Sequence, residues 1–482
     1  MPETTSNKSP SSAMSLAAAC AKLPPLLEGL EAGLVERRRV VRMALLVALS
    51  GEHTLLIGPP GTAKSELARR LHHAFTGGRY FERLLTRFSV PEELFGPLSI
   101  SALEDDRYER QTAGFLPEAS IAFIDEVFKA NSAILNALLT LLNEREFDNG
   151  AGRQRCPLIS VIGATNAVPA DEVGEAFFDR FLARIPVEPV SSTGFAALLA
   201  RDGEADIPPL LPLDEAERAA LSAAARSVEL PEAVVAILAD LRETLAEAAP
   251  VSDRRWVKLV RLLKTAAASE GRAAVSIWDL ALLPACVAAD ATGQAAVRDW
   301  LATRLGVREA FSPPRLTRIV EAFEAQLEIE QNAEDLEYDA NGRLQFTAGD
   351  ENSLADRVGD AKGGAAAPRL SYSRKRRYGE AHIGARTAQL DSLVERIRAY
   401  VAELDSVRDQ LAQHLATSLW LDETFAEPAA ANLAATAVML QTLLARSAAA
   451  RAGFTALPRL PNAGELPEPV AHEALPAIGR AA

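Results

Sequence analysis

The sequence predicts an α/β fold: a parallel sheet sandwiched by helices, then a run of helices, then a mostly helical C-terminal region interrupted by a small β-rich insert. Three observations predict it. Short apolar runs, "HTLLIG" (53–58), "IAFIDE" (121–126) and "LISVIGATN" (158–166), alternate with helical stretches, the pattern of parallel strands covered on both faces. Helical periodicity then dominates from residue 213 to about 305. Beyond Ser312-Pro313-Pro314 the composition shifts to an acidic and then a Gly/Ala/Asp-rich stretch before helical pattern returns.

Size and charge bound the rest. A chain of 482 residues is too long for one compact domain. With 51 basic and 65 acidic residues the formal charge is −14, which argues against nucleic acid as the main partner. The three cysteines, Cys20, Cys156 and Cys286, have no metal-ligand or CxxC spacing, so a reducing, cytoplasmic location is expected. No uncharged apolar stretch of about 18 residues is present, so no membrane span is expected.

Residues 1–24 are expected to be a flexible terminus, their first dozen being polar. An amphipathic helix within 29–50 feeds the first strand, and "KSELARRLHHAF" continues as a helix after a glycine-rich loop. "NSAILNALLTLLNE" (131–144) is helical, and Asn149-Gly150 signals a hairpin. A further hairpin is expected near Asn341-Gly342, and a strand within 369–379. From 386 to 419 the residues Leu390, Leu393, Ile397, Tyr400, Leu404, Val407, Leu411 and His414 form an a/d stripe. Packing against the next helix (430–450), through a loop at Glu427-Pro428, is the expected outcome.

The chemistry concentrates in five pieces. "GPPGTAKS" spans Gly58, Pro59, Pro60, Gly61, Thr62, Ala63, Lys64 and Ser65, with Glu66 following. Its backbone N–H groups can face a phosphate at a helix start, Lys64 can lie against the β- and γ-phosphates, and Ser65 can hold Mg²⁺. Ala63 departs from the G-x-x-x-x-G-K-[ST] pattern. Right-handed helical dihedrals are expected there, which an alanine tolerates; Gly58 and Gly61 are the expected places for unusual dihedrals or close backbone approach. Asp125 and Glu126 end the second apolar run, where ligands of parallel sheets bind. Asp125 suits the Mg²⁺ shell, and Glu126 suits a general base on the attacking water. Asn166 ends the third run and can hold phosphate and water without adding charge. Arg180 lies in "FFDRF", and Arg254 and Arg255 open a helix in "VSDRRW"; an arginine can stabilise transferred phosphate.

In this order, GPPGTAKS, FIDE, GATN, DRF and SDRRW resemble an AAA+ ATPase of the MoxR group. "QTAGFLPEASIAFIDEVFKANSAILNALLTLLNEREFDNG" resembles its RavA subfamily. The resemblance implies a P-loop AAA+ core over 25–200, a helical lid over 201–305, a C-terminal helical domain over 306–330 and 381–482, and an inserted β-containing module over 331–380. It implies Walker A at Gly58 to Ser65, Walker B at Asp125-Glu126, sensor 1 at Asn166, an arginine finger at Arg180 completing a neighbour's site, and sensor 2 at Arg254. It also implies an insert within "FGPLSISALEDDRYERQTAGF". The expected ligands are ATP or ADP with Mg²⁺. The expected partners are other copies of the chain in a hexamer, a von Willebrand A domain protein (ViaA-like), and a protein client such as a decarboxylase or metalloenzyme. The expected work is chaperone-like remodelling of that client. The alternative is a nucleic-acid-directed motor of the helix-2-insert clade, for which Arg153 and Arg155 of the hairpin and "SRKRRY" (373–378) are the available cations.

Overall fold

The computed structural model describes residues 10–150, 152–167, 172–200, 210–247, 249–333, 375–460 and 466–475. They divide into two units, one reaching to Leu305 and including Leu411–Ala429, the other formed by Gly306–Gln410 and Ala430–Ala482.

In the first unit, α1 (Pro10–Glu31) and α2 (Arg38–Leu49) precede β1 (His53–Ile57) and α3 (Lys64–His72). Then follow β2 (Tyr80–Leu84), α4 (Glu92–Phe95), α5 (Ile100–Glu104) and β3 (Ile121–Asp125). After these come α6 (Ser132–Glu144), the hairpin β4 (Glu146–Asn149) and β5 (Gly152–Arg155), β6 (Ser160–Thr165), α7 (Glu172–Phe178), β7 (Phe181–Pro186) and α8 (Ser192–Leu199). The order β2-β3-β6-β1-β7 is parallel throughout. β6 is buried along its whole length, so its continuous apolar run needs helices on both faces. Leu55, Ala122, Ile124 and Val161 of the sheet pack against Ile134, Leu138 and Leu141 of α6 in one core.

The terminus is ordered further back than the sequence suggests. Residues 10–31 form α1, so the expected flexible stretch to residue 24 is corrected from residue 10 onward. Ala19, Leu23, Leu26, Leu27 and Leu30 fall on one face and are buried, and α1 packs on α9 (Glu215–Ser227). Burying that face offsets the chain entropy of ordering it.

The region corresponding to the expected insert folds as a loop closed on itself. Ser99 N–H donates to the Glu109 carbonyl and Gln111 N–H to the Pro97 carbonyl, both at 2.8 Å, with α5 at the far end. Asn149 at the hairpin tip clasps it: its amide accepts from Arg110 N–H at 2.7 Å and donates to the Arg110 carbonyl at 3.2 Å. Gly150 must be glycine here, because it has φ +69° and an added Cβ would lie 1.5 Å from the Tyr108 carbonyl oxygen.

The helices α9, α10 (Glu232–Leu245), α11 (Asp253–Ser269), α12 (Pro284–Val287) and α13 (Ala291–Arg304) complete this unit. Residues 411–429, expected with the C-terminal domain, group here. Glu270 explains it: its carboxylate accepts from Ser418 Oγ and Leu419 N–H, both at 2.7 Å, while the Trp420 indole donates to Ser269 Oγ at 2.8 Å.

The second unit contains α14 (Pro313–Asn332) and most of two long helices, Glu380–Thr417 and Glu423–Thr455. The a/d stripe is buried from Leu390 to Leu404, and Arg451 pairs with Asp391 at 2.6 Å, so the helices run antiparallel within one chain. The break between them lies at 418–422, not at Glu427-Pro428: Pro428 sits inside the second helix, and Ser418 Oγ accepts from the N–H groups of Trp420 and Leu421. By length and composition Glu423–Thr455 is apolar enough to cross a membrane, a feature that the search for uncharged runs does not catch. Its Leu433, Leu440, Leu443 and Phe454 are buried in the protein. The expected hairpin near Asn341-Gly342 and most of the 331–380 module lie outside the described residues.

Candidate active site

β1 delivers the glycine-rich loop to the carboxyl edge of the sheet. Gly58 N–H donates to the Thr165 carbonyl at 3.0 Å, and Val187 N–H to the Ile57 carbonyl at 2.7 Å. Gly58 is pressed so close to the chain that a Cβ would lie 2.1 Å from the Val187 carbonyl oxygen, and Gly61 has φ +81°. Both glycines do what the sequence assigns them. Ala63 does not: its φ is +67° and ψ +26°, left-handed, because α3 starts one residue later, at Lys64. Ala63 is the N-cap. Its carbonyl accepts the Leu67 N–H at 3.0 Å, and a cap residue keeps non-helical dihedrals while taking the first intrahelical bond.

Lys64 is buried and donates from Nζ to the carbonyls of Gly58 and Pro59, each at 2.8 Å. Burial pushes its pKa down, against the pull of Asp125 and Glu126. Thr62 closes the loop by donating to the Pro59 carbonyl at 3.0 Å. Pro59 and Pro60 are exposed at the crest, and Ser65 lies half-buried in the first turn of α3. The carboxylate of Glu66 is taken by Arg70 at 2.8 Å, so only its backbone faces the loop. Arg37 was not singled out by sequence. It is buried and bridges the Thr62 carbonyl (3.3 Å) to the Glu188 carbonyl (2.7 Å), bracing the loop against the end of β7. Its place in the triplet Arg37-Arg38-Arg39 gives no hint of which arginine turns inward.

β3 and β6 end at the same edge. Asp125 Oδ1 accepts from the Glu126 N–H at 2.9 Å. Glu126 has φ +52° and ψ +41°, and its Oε1 accepts from Asn166 Nδ2 at 2.6 Å. Lys129, also not anticipated, places Nζ 3.2 Å from that same oxygen. Gly58 to Ser65, Asp125, Glu126 and Asn166 therefore converge. A loop with one Cβ-excluding glycine, a desolvated lysine facing two carboxylates, and the oxygen donors Ser65 and Asp125 fit a phosphate chain with a hard divalent cation such as Mg²⁺.

Arg180 and Arg254 are not brought to this cluster. Arg180 immediately precedes β7, at the amino edge of the sheet, while the loop follows the carboxyl end of β1; six residues of strand separate the edges by about 16 Å. Its Nη1 lies 3.9 Å from Asp179, and its Nε is buried without an acceptor. Arg255 is fixed at the same edge. It donates to the carbonyls of Cys286 (2.6 Å), Phe181 (2.7 Å), Leu182 (2.9 Å) and Asp179 (3.0 Å) and to the Asp179 carboxylate (3.0 Å). Arg255 is thereby committed to joining α11 to β7, and the neighbouring Arg254 is exposed beside it. The expectation that an arginine of this pair reaches the γ-phosphate is corrected for the chain's own site: α11 starts at the wrong edge. Beside them, Arg184 lies over the Phe178 ring at 4.1 Å, and burial with the Arg255 charge pushes its pKa down to about 9.

Among the described residues a second grouping of ligand-type side chains, Glu270, Asp279 and His414, comes together. Arg272 donates to both carboxylates at 2.7 Å, so a cation already fills it.

Residues 21–216 match the family model described as the MoxR domain in the MoxR-vWA-beta-propeller ternary systems, and residues 233–301 match an AAA lid domain. An uncharacterised protein of Methanocaldococcus jannaschii is 41% identical over 264 residues, 54% of this chain and 69% of that protein. A second from the same organism is 40% identical over 262 residues, 54% of this chain and 70% of that protein. The protein MoxR of Paracoccus denitrificans is 31% identical over 156 residues, 31% of this chain and 45% of its own. A solved structure from Cytophaga hutchinsonii superposes with a TM-score of 0.48 at 18% identity, over 57% of this chain and 88% of that one.

Proposed function

This chain belongs to the MoxR-type AAA+ ATPases, and from that premise we propose that it hydrolyses ATP to ADP and phosphate to remodel or activate a protein client, as a member of the RavA subfamily. The convergence of Lys64, Asp125, Glu126 and Asn166 on one edge carries the reading.

The Gly61–Ser65 amides and Lys64 hold the phosphates. Ser65 and Asp125 would hold Mg²⁺, which would supply charge neutralisation at the phosphates. Glu126 takes the proton of the attacking water, and Asn166, within 2.6 Å of Glu126 Oε1, fixes the carboxylate that must do so. Arg180 and Arg254 lie at the opposite edge, so they serve the site of an adjacent subunit, which calls for a ring; the hexamer is the proposed form. A von Willebrand A domain protein is the proposed partner, supported by the ternary system in the description of the matched family. The cytoplasm is the proposed location. The hairpin lends little to a nucleic-acid motor: Arg153 is paired with Glu144 and Glu146.

Glu126→Gln tests the reading. Steady-state phosphate release should fall at least about 100-fold, with Mg-ATP affinity retained. Unchanged turnover would remove Glu126 as the base.

A further inference from the structure

A separate groove opens at the amino edge of the sheet, and its charge runs against that of the chain. Its volume is about 810 Å³, and its lining holds five cations against one acid, Glu215, in a protein of net charge −14. Two helices supply most of the wall. α9 contributes Arg218, Ser222 and Arg226 at four-residue spacing, and α11 contributes Val257, Arg261 and Lys264 on one face. The end of α2 and the turn after it, Ser50 and Gly51, close the far side.

Most of these cations are only partly engaged by structure; Arg218 lies over the Phe75 ring at 5.8 Å. Arg145 is the exception: it donates from both ends of its fork to the carbonyls of Leu158 (3.0 Å) and Gly51 (2.6 Å), so it is held in place by the backbone. Arg261 meets a carboxylate of Glu52 only at 3.8 Å, and Glu52 is already held by Lys258 at 2.6 Å. Arg226 uses Nε on the Ser222 carbonyl at 3.4 Å and keeps its fork. Arg218 Nε is buried with no acceptor, and burial pushes its pKa down. Arg218, Arg226 and Lys264 have no ion-pair partner among the described residues. Half-buried Arg218 and Lys264 with exposed Arg226 and Arg261 around one cavity, only Glu215 among them, present a surface that a compact polyanion complements.

We propose that this groove, distinct from the Walker A loop, binds a polyphosphorylated small molecule of nucleotide size. The volume lies within the range of small-ligand sites, about 300–1,000 Å³. Guanidinium forks match phosphate oxygens two at a time. Val257, Val260 and Leu49 on the same wall offer an apolar face for a ring. No strand edge lines the groove, so a peptide finds no backbone to pair with. A ligand here would join α9 and α11 to the turn that leads into β1, the strand that delivers the phosphate loop.

The test removes the Walker site from view. The full chain carrying Lys64→Ala is titrated calorimetrically with inorganic tripolyphosphate at about 150 mM salt. One-to-one binding is expected, weakened at least about tenfold by Arg226→Glu with Arg261→Glu, two exposed positions whose folding is checked by thermal melting; Arg226→Gln with Arg261→Gln replaces them if the first pair unfolds. No binding, or binding indifferent to the charge changes, overturns the proposal. So does a glutamate-rich peptide or a single-stranded oligonucleotide that binds the same variant more tightly than tripolyphosphate.

Discussion

Ala63 carries the strain that its position in the loop imposes. A left-handed alanine costs about 1–2 kcal/mol relative to its preferred dihedrals, and only the surrounding loop keeps it there. Ala63→Gly removes that strain while adding about 0.5–1 kcal/mol of chain entropy to the unfolded state. The expected result is a stability unchanged or raised by up to about 1 kcal/mol in denaturant melts, with ATP affinity within a few-fold of wild type. Ala63→Val meets the same φ with a β-branched side chain, and should weaken both stability and nucleotide binding. Equal behaviour of the two variants would show that the left-handed backbone does not matter.

At the scale of elements, α11 separates two adjacent arginines by task. Arg255→Met leaves the carbonyls of Phe181, Leu182 and Cys286 and the carboxylate of Asp179 without their donor. Leaving buried carbonyls without that donor should cost about 1–3 kcal/mol, read as a lower unfolding midpoint, while Asp179 keeps Arg184 at 3.5 Å. Arg254→Ala, at an exposed position, should leave the midpoint unchanged and reduce turnover; the reverse pattern would exchange the roles. In the second unit, Glu330 ties α14 to the helix Glu380–Thr417. Burial alone would raise its pKa, but His382, Gln326 and Arg386 outweigh it and hold the carboxyl below its ordinary value. A lowered folded pKa contributes stability that is complete above the ordinary carboxylate range and lost as the pH falls through the folded value. The stability gap between wild type and Glu330→Gln should therefore narrow as the pH falls through and below the ordinary carboxylate range; a gap that is constant with pH would contradict the charged pairing.

For the whole molecule, what was legible in the sequence was local. β1, β3 and β6 are continuous apolar runs, and the polar residues that end each one are the ones that meet at the site. β2, "YFERL", has two charges in five residues and gives no such signal, because only its edge position tolerates them. The left-handed backbone of Ala63 was not legible, since a cap and a first helical residue look alike in sequence. Strand order was not legible at all. Nor was β7, whose run FLARIP carries a buried arginine; because β7 lies parallel to β1, Arg180 just before it stands across the sheet from Lys64 and Glu126, and Arg254 lies beside it on α11.

That separation makes the central claim testable without knowing the client. Lys64→Ala subunits lack a working loop but keep Arg180, and Arg180→Ala subunits keep the loop but lack the arginine. Each alone should release phosphate at a small fraction of the wild-type rate. Mixed and reassembled, they should regain activity, because a Lys64→Ala subunit can present Arg180 to the intact loop of its neighbour. No recovery on mixing, together with near-normal turnover by Arg180→Ala alone, would contradict a site completed from the opposite edge of an adjacent subunit.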